Sequence, residues 1–313
     1  MKMKDKEQII FTPGLSSRSL TMDYYPIENM LIAGLAGSGK DTAINAIVKD
    51  MISSNDIGRF SYVYIDALDR NNPLANPSRP TPYNELQSRL HGEYYLSNVY
   101  SLLCTIIYGA ISYMGGIDDN PKYVNGKLIV IVNNFGALPD YLQVLVRYLM
   151  YFTSKHNVGI NVIVSAQCSE FTDDMLESAP YRMTTRVTEE CSEKLLKCNI
   201  GARVTEKYGT AWFYNVEDPY NYVHTIIKFT PEPLLNRMMK SYASGKESNN
   251  KIIKKMMCAY GAEKHVIVAT DPFITQVLGM NVSSLYEDFL IALEKEKVQC
   301  AHSTSDKMKE GNV

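Results

Sequence analysis

The chain has 313 residues, 45% hydrophobic and 21% charged, with a formal net charge of −2. That length and composition suffice for a full hydrophobic core and fit one large domain with an appendage, while the charge excludes any global electrostatic drive toward nucleic acid. Six cysteines (Cys104, Cys168, Cys191, Cys198, Cys258 and Cys300) form no C-x-x-C pair, so they read as reduced thiols and point to the cytoplasm.

Residues 1–28 mix polar residues with Pro13, Gly14 and Pro26 and read as an arm. The first seven, Met1-Lys2-Met3-Lys4-Asp5-Lys6-Glu7, are charged with no apolar core behind them, so no secretory signal is expected. The apolar run Met30-Leu31-Ile32-Ala33 then meets Gly34-Leu35-Ala36-Gly37-Ser38-Gly39, then Lys40 and an amphipathic pattern through Ile44, Ile47 and Val48. The order is strand, phosphate loop, helix. Glycines let successive backbone N–H groups converge on an anion, the helix N-terminus adds partial positive charge, and Lys40 can reach terminal phosphates. The form G-x-x-x-x-G-K spans Gly34 to Lys40, but Asp41 stands where a hydroxyl would hold Mg²⁺, with Thr42 one place late.

Tyr62-Val63-Tyr64-Ile65-Asp66 is short and β-rich, as a buried parallel strand is. Asn71 to Pro82 carries four prolines and three asparagines and reads as a surface loop. Tyr94 to Ile117 contains no charged residue. Its many Tyr, Ser, Asn and Thr residues make it polar for a bilayer, so a buried core helix ending at Gly115-Gly116 is expected, and no membrane span. Lys127 to Asn134 is a strand, Tyr141 to Phe152 has helical spacing, and Gly159 to Gln167 is the next strand. Shorter β-type runs follow at Met183 to Val187, Ala211 to Asn215 and Thr225 to Phe229. Alternating strands and helices predict an α/β domain over residues 29–232, a mainly parallel sheet with helices on both faces. Residues 233–262 read as a lysine-rich linker and 263–313 as a small C-terminal module, with a strand at His265 to Ala269, a helix over Ser283 to Lys297 and a polar tail.

Together these motifs resemble the RecA-like P-loop motor domain of the FtsK/SpoIIIE DNA translocases. The phosphate loop and its I/V-N-A helix are matched by Ile32 to Ile47, and Ile65-Asp66-Ala67-Leu68 is similar to the family's I-D-P-K. Val132-Asn133-Asn134-Phe135-Gly136-Ala137-Leu138 resembles the Walker B block V-D-E-F-A-D-L. Gly159 to Gln167 resembles G-I-H-L-x-x-A-T-Q, and Ala179 to Val187 resembles I-P-T-R-I-A-F-R-V. The resemblance implies ATP with Mg²⁺, a nucleotide site made of Gly34 to Thr42, an oligomeric ring and double-stranded DNA as partner. It places the metal at Asp41 and Thr42, gives Gln167 the position of a sensor between nucleotide and DNA, and puts Arg182 and Arg186 in a segment used near subunit interfaces. A polar strand cap for Gln167, and solvated or salt-bridged arginines on an edge strand, are the bland readings.

The departures fall on the catalytic positions. The family's Walker B carboxylates are replaced by Asn133 and Asn134, and an amide neither accepts a water proton nor lends negative charge to a metal shell. Nucleotide binding with impaired hydrolysis is therefore expected. Two functions stand: a ring-forming DNA translocase, or a catalytically degenerate subunit or adaptor of a larger secretion or DNA-transfer complex. A P-loop kinase is a third, weaker reading, opposed by the Gly159 and Pro180 blocks. Lys251, Lys254 and Lys255 lie in a basic stretch that reads as a solvated linker or as a contact with DNA phosphates.

Overall fold

Strands such as Leu128-Ile129-Val130-Ile131-Val132 are apolar at every position because successive side chains alternate between two faces and both faces are covered. The computed structural model describes residues 9–17, 23–55, 60–68, 95–114, 127–156, 158–204, 209–227 and 233–237, with single positions 74, 90, 231 and 291. In chain order the elements are β1 (Ile10–Phe11), β2 (Leu15–Ser16), β3 (Tyr25–Pro26), β4 (Met30–Ala33), α1 (Lys40–Ser54), β5 (Phe60–Asp66), α2 (Tyr95–Met114) and β6 (Lys127–Asn133). They continue with α3 (Asp140–Lys155), β7 (Ile160–Ala166), α4 (Asp173–Ser178), β8 (Tyr181–Thr184), α5 (Glu189–Leu196), β9 (Thr210–Asn215) and β10 (Tyr222–Ile226).

One eight-stranded sheet runs in the order β2-β10-β9-β8-β4-β7-β6-β5. From β8 to β5 the pairing is parallel, and β9, β10 and β2 extend it antiparallel. Alternation divides the core in two. Leu31, Val63, Val130 and Val164 pack with α2 and α3, while Ile32, Tyr62, Ile131 and Ile163 pack with Ile44, Ile47 and Val48 of α1. Each fully buried side chain of this size contributes about 1.5–3 kcal/mol.

The strand that carries the phosphate loop is central, between β7 and β8. Asn29 fixes where it starts. Its side-chain amide is buried, donating to Met150 O and Ser178 O at 3.1 Å each and accepting from Val162 N at 2.8 Å, so β4 is tied to α3, β7 and the end of α4.

Several boundaries differ from the expected ones. The expected arm contributes core: Ile9, Phe11 and Ile27 are buried on the α1 side, β1 pairs with β3, and β2 forms the edge of the main sheet. Two-residue pairings are too short to show a hydrophobic period. The run expected as a strand over Met183 to Val187 is β8 at Tyr181–Thr184. At Thr185 the chain leaves the ladder and passes behind the phosphate loop, with Thr185 N donating to Ala33 O at 2.9 Å. The uncharged stretch is α2, with Val99, Leu103, Ile106, Ile107 and Ala110 buried, and no described helix is long and apolar enough to cross a membrane. The expected 71–82 loop (apart from Leu74), the Gly115-Gly116 helix end, the linker and C-terminal module beyond residue 237 (apart from Ile291), and Lys251, Lys254 and Lys255 lie outside the described residues.

Candidate nucleotide site

The loop after β4 is suspended from both neighbouring strands. Gly34 N donates to Ala166 O at the end of β7 (3.4 Å), and Leu35 N donates to Arg186 O beyond β8 (3.0 Å). Gly34 is the tightest point: a Cβ there would lie 2.0 Å from Thr185 Oγ1 and 2.2 Å from Ser38 Oγ. Gly37 and Gly39 have φ of 66° and 95°, in the left-handed region that glycine adopts without strain. Gly39 is the N-cap of α1 and supplies no side-chain cap, so the first-turn N–H groups are left for an anion.

Lys40 is 8% exposed, and its Nζ donates to Gly34 O (2.9 Å) and Leu35 O (3.1 Å). An ammonium has three N–H bonds, so one remains for a ligand. Burial depresses the Lys40 pKa, while the carboxylates of Asp41 and Glu170 act in the opposite direction. A cavity of about 370 Å³ opens over this loop, lined by Ala36 to Asp41 on one side and by Asn134, Gly136, Gln167 and Glu170 on the other.

Beneath the cavity lies a polar cluster built by strand register. Asp66 ends β5, Asn133 ends β6, and the two are paired across the parallel ladder. The Asn133 Nδ2 donates to Asp66 Oδ2 (2.6 Å) and to Asp41 Oδ1 (2.9 Å), and its Oδ1 accepts from Ser165 Oγ on β7. Asn134 Nδ2 donates to Asp66 Oδ1 at 3.1 Å, and Leu68 N donates to the same oxygen at 2.9 Å. The amide at position 133 has two N–H bonds and gives one to each carboxylate. Asp66 is fully buried and Asn133 is 1% exposed, and both oxygens of the buried Asp66 carboxyl receive amide N–H donors, from Asn133, Asn134 and the Leu68 backbone.

The structure brings together most of the residues expected in the site. Ala36, Gly37, Ser38, Gly39, Lys40, Asp41 and Asn134 line the cavity, Asn133 lies beneath it, and Gln167 lines both it and a second cavity of about 240 Å³. That second cavity takes Gly34 and Leu35 on one wall and Cys168, Cys191 and Lys194 on the other. Thr42 lines neither cavity. Arg182 is 6% exposed on an interior strand, not an edge strand, and its guanidinium donates to Leu195 O (2.9 Å) and Leu176 O (2.8 Å), bracing β8 against α4 and α5. Arg186 contributes its carbonyl to Leu35, and its Nε is buried without a hydrogen-bond partner among the described residues.

Two residues of the site carry no role in the sequence analysis: Asp66, which stands there only within the block similar to I-D-P-K, and Glu170. Asp66 had a signal, a carboxylate ending an otherwise apolar strand, but only the β5–β6 register puts it on Asn133. Glu170 had none: it sits in a 3-10 turn over Cys168–Glu170, where its Oε2 accepts from Gln167 N at 2.7 Å.

Mg²⁺ takes hard oxygen ligands. Asp41 Oδ1 accepts from Asn133, while Oδ2 has no hydrogen bond among the described residues. One carboxylate oxygen on the cavity wall is a donor of the kind that would suit a magnesium ion. Among the described residues no group of three or more His, Cys, Asp or Glu could hold a metal unaided.

A central strand, a glycine loop tied to its two neighbours and a helix opening at lysine can be compared with solved structures. The cytoplasmic domain of the type VII secretion ATPase EccC of Thermomonospora curvata superposes with a TM-score of 0.59 at 12% identity, covering 78% of this chain and 32% of that one. EccC ATPases 2 and 3 in complex with a signal sequence peptide give 0.55 at 13% identity, covering 78% and 49%. The pCW3 conjugation coupling protein TcpA with ATPγS gives 0.51 at 13% identity, covering 77% and 73%. The fold is that of a P-loop ATPase domain. No protein-family model and no curated protein matches the sequence. The chain spans about a third to a half of the length of the secretion ATPases it superposes on.

Proposed function

We propose that this chain binds ATP at the Gly34 to Thr42 loop and acts as a subunit of a ring that moves a macromolecule, in DNA translocation or transfer. The observation that carries the reading is the loop itself: left-handed glycines, an uncapped helix N-terminus and a buried lysine with one N–H to spare converge on one cavity. The superposition on secretion and conjugation ATPases, one of them with ATPγS, supports the direction of the assignment. Asp41 would hold Mg²⁺, which when bound neutralises charge on the phosphates.

A second reading, a catalytically degenerate subunit or adaptor, is favoured by amides at positions 133 and 134, with the Asn133 side chain fully used in hydrogen bonds to Asp41, Asp66 and Ser165. Duplex DNA as partner is supported only by the FtsK/SpoIIIE resemblance and by the basic stretch containing Lys251, Lys254 and Lys255. Calorimetric titration with ATP tests the reading. Lys40→Ala removes a charge-assisted phosphate contact and should weaken binding by about 1.5–3 kcal/mol; equal affinity in wild type and variant overturns it.

A further inference from the structure

If the loop holds ATP, hydrolysis needs a group that orients water and takes its proton. The Walker B strand offers none. Asn134 lines the cavity, but its Nδ2 is committed to Asp66 and its Oδ1 can accept a hydrogen bond without accepting a proton. Asp66 is fully buried, its Oδ1 and Oδ2 receiving donors from Leu68, Asn134 and Asn133. Asp41 lies on the phosphate-loop side, at the start of α1.

A different carboxylate stands on the opposite wall. Glu170 lines the same cavity as Ala36 to Asp41 and lies close enough for its charge to act on Lys40. It is positioned, not loose. Oε2 accepts from Gln167 N at 2.7 Å, which ties the side chain to the turn that follows β7. The carboxyl group also lies against Gly136, where a Cβ would be 2.1 Å from both Cδ and Oε1, so any side chain at that position would push the carboxylate from this place. Oε1 has no hydrogen-bond partner among the described residues. A turn that only needed a cap would require one oxygen on Gln167 N. It would not require the carboxyl to occupy the space over Gly136, two residues from Asn134 within the Walker B-like block.

We propose that Glu170 is the catalytic carboxylate of this site, doing from the β7 turn what the Walker B glutamate does from the neighbouring strand. The water oxygen forms its bond to the γ-phosphorus as the bond to the β,γ-bridging oxygen breaks. ADP leaves with that electron pair, and the water proton passes to the Glu170 carboxylate and from there to solvent. Asn134, on the same wall, can accept the water's second hydrogen at Oδ1 and so orient it. The inference rests on the ATP-binding reading and decides between its two forms, since a chain with a working carboxylate is not degenerate.

The test is steady-state ATP turnover by the full chain beside calorimetric titration with a non-hydrolysable ATP analogue, for wild type and Glu170→Gln. The amide oxygen of the introduced side chain can still accept from Gln167 N, and the amide group fills the same space over Gly136, so the fold and the analogue affinity should change little. A general base contributes about 10²–10⁴-fold, so kcat should fall at least about 100-fold with KM within about threefold, and Glu170→Asp should recover part of the loss. Analogue binding without measurable turnover by wild type, or turnover unchanged in Glu170→Gln, overturns the assignment and leaves ATP binding standing. No analogue binding by wild type overturns both.

Discussion

Asn133→Asp puts an acidic residue at the end of β6, the position that resembles a Walker B aspartate, and the structure makes it a destabilising change in the absence of a cation. Asn133 Nδ2 lies 2.9 Å from Asp41 Oδ1 and 2.6 Å from Asp66 Oδ2; aspartate puts an oxygen there instead. Two hydrogen bonds to charged acceptors are lost, each about 1.5–3 kcal/mol. Two unit charges about 2.9 Å apart repel by about 6 kcal/mol at an effective dielectric of about 20. Holding a carboxyl protonated at neutral pH costs about 4 kcal/mol, about three units above its ordinary value. Protonation is the cheaper route, and a protonated carboxyl returns only one donor to the two acceptors. The net destabilisation should therefore be about 5.5–7 kcal/mol near pH 7, the protonation cost plus one lost charge-assisted hydrogen bond. The introduced carboxyl has a folded-state pKa above its unfolded value. The ionisation part of its penalty is thus absent below about pH 4, where only the lost hydrogen bond remains, grows by about 1.4 kcal/mol per unit as pH rises, and levels off above the folded pKa. Urea unfolding from about pH 5 to about pH 8, with and without Mg²⁺ at about 10 mM, measures it; magnesium should return part of the loss by binding only the folded state. Equal midpoints for wild type and variant across that range would refute the charge argument. By the same arithmetic, a variant that restores the Walker B pair tolerates it better with Asp41→Ser.

Gly34→Ala should place a methyl within 2.2 Å of two hydroxyl oxygens, lowering stability by about 1–3 kcal/mol and abolishing calorimetric ATP binding; a variant with wild-type melting and affinity would show that the loop is looser than its contacts. Asp174→Asn tests the α3–α4 tie, where Arg147 Nη2 and Nε reach the carboxylate at 2.8 and 3.0 Å. Burial works against the Asp174 carboxylate, but the hydrogen bonds and charge of Arg147 hold its pKa below the ordinary value. Its contribution is present above the unfolded pKa and lost as pH falls through the folded one. The variant should lose about 1 kcal/mol at neutral pH, and the difference should vanish in acid; a difference independent of pH would point to packing instead.

The sequence by itself determined the elements with long, regular signals. Seven-residue strands at Phe60–Asp66, Lys127–Asn133 and Ile160–Ala166 are largely apolar because helices cover both faces, and that composition is legible without coordinates. The phosphate loop was legible for a related reason: positive φ at Gly37 and Gly39 and the close approach at Gly34 restrict the residue type itself. The two-residue strands β1, β2 and β3 carry no period, so only tertiary pairing made core of Ile9, Phe11 and Ile27. Arg182 looked like a surface cation, and only the sheet order shows it as an interior brace. The acid balance of the site was decided by tertiary structure as well. Asn133 meets Asp66, 67 residues away, through strand register, and meets Asp41, 92 residues away, through the loop's return over the sheet. Glu170 lines the cavity with its carboxyl in the space beside Gly136. Contacts between residues so far apart in sequence leave no local pattern, since each chain segment satisfies only its own periodicity until the sheet brings the strand ends together.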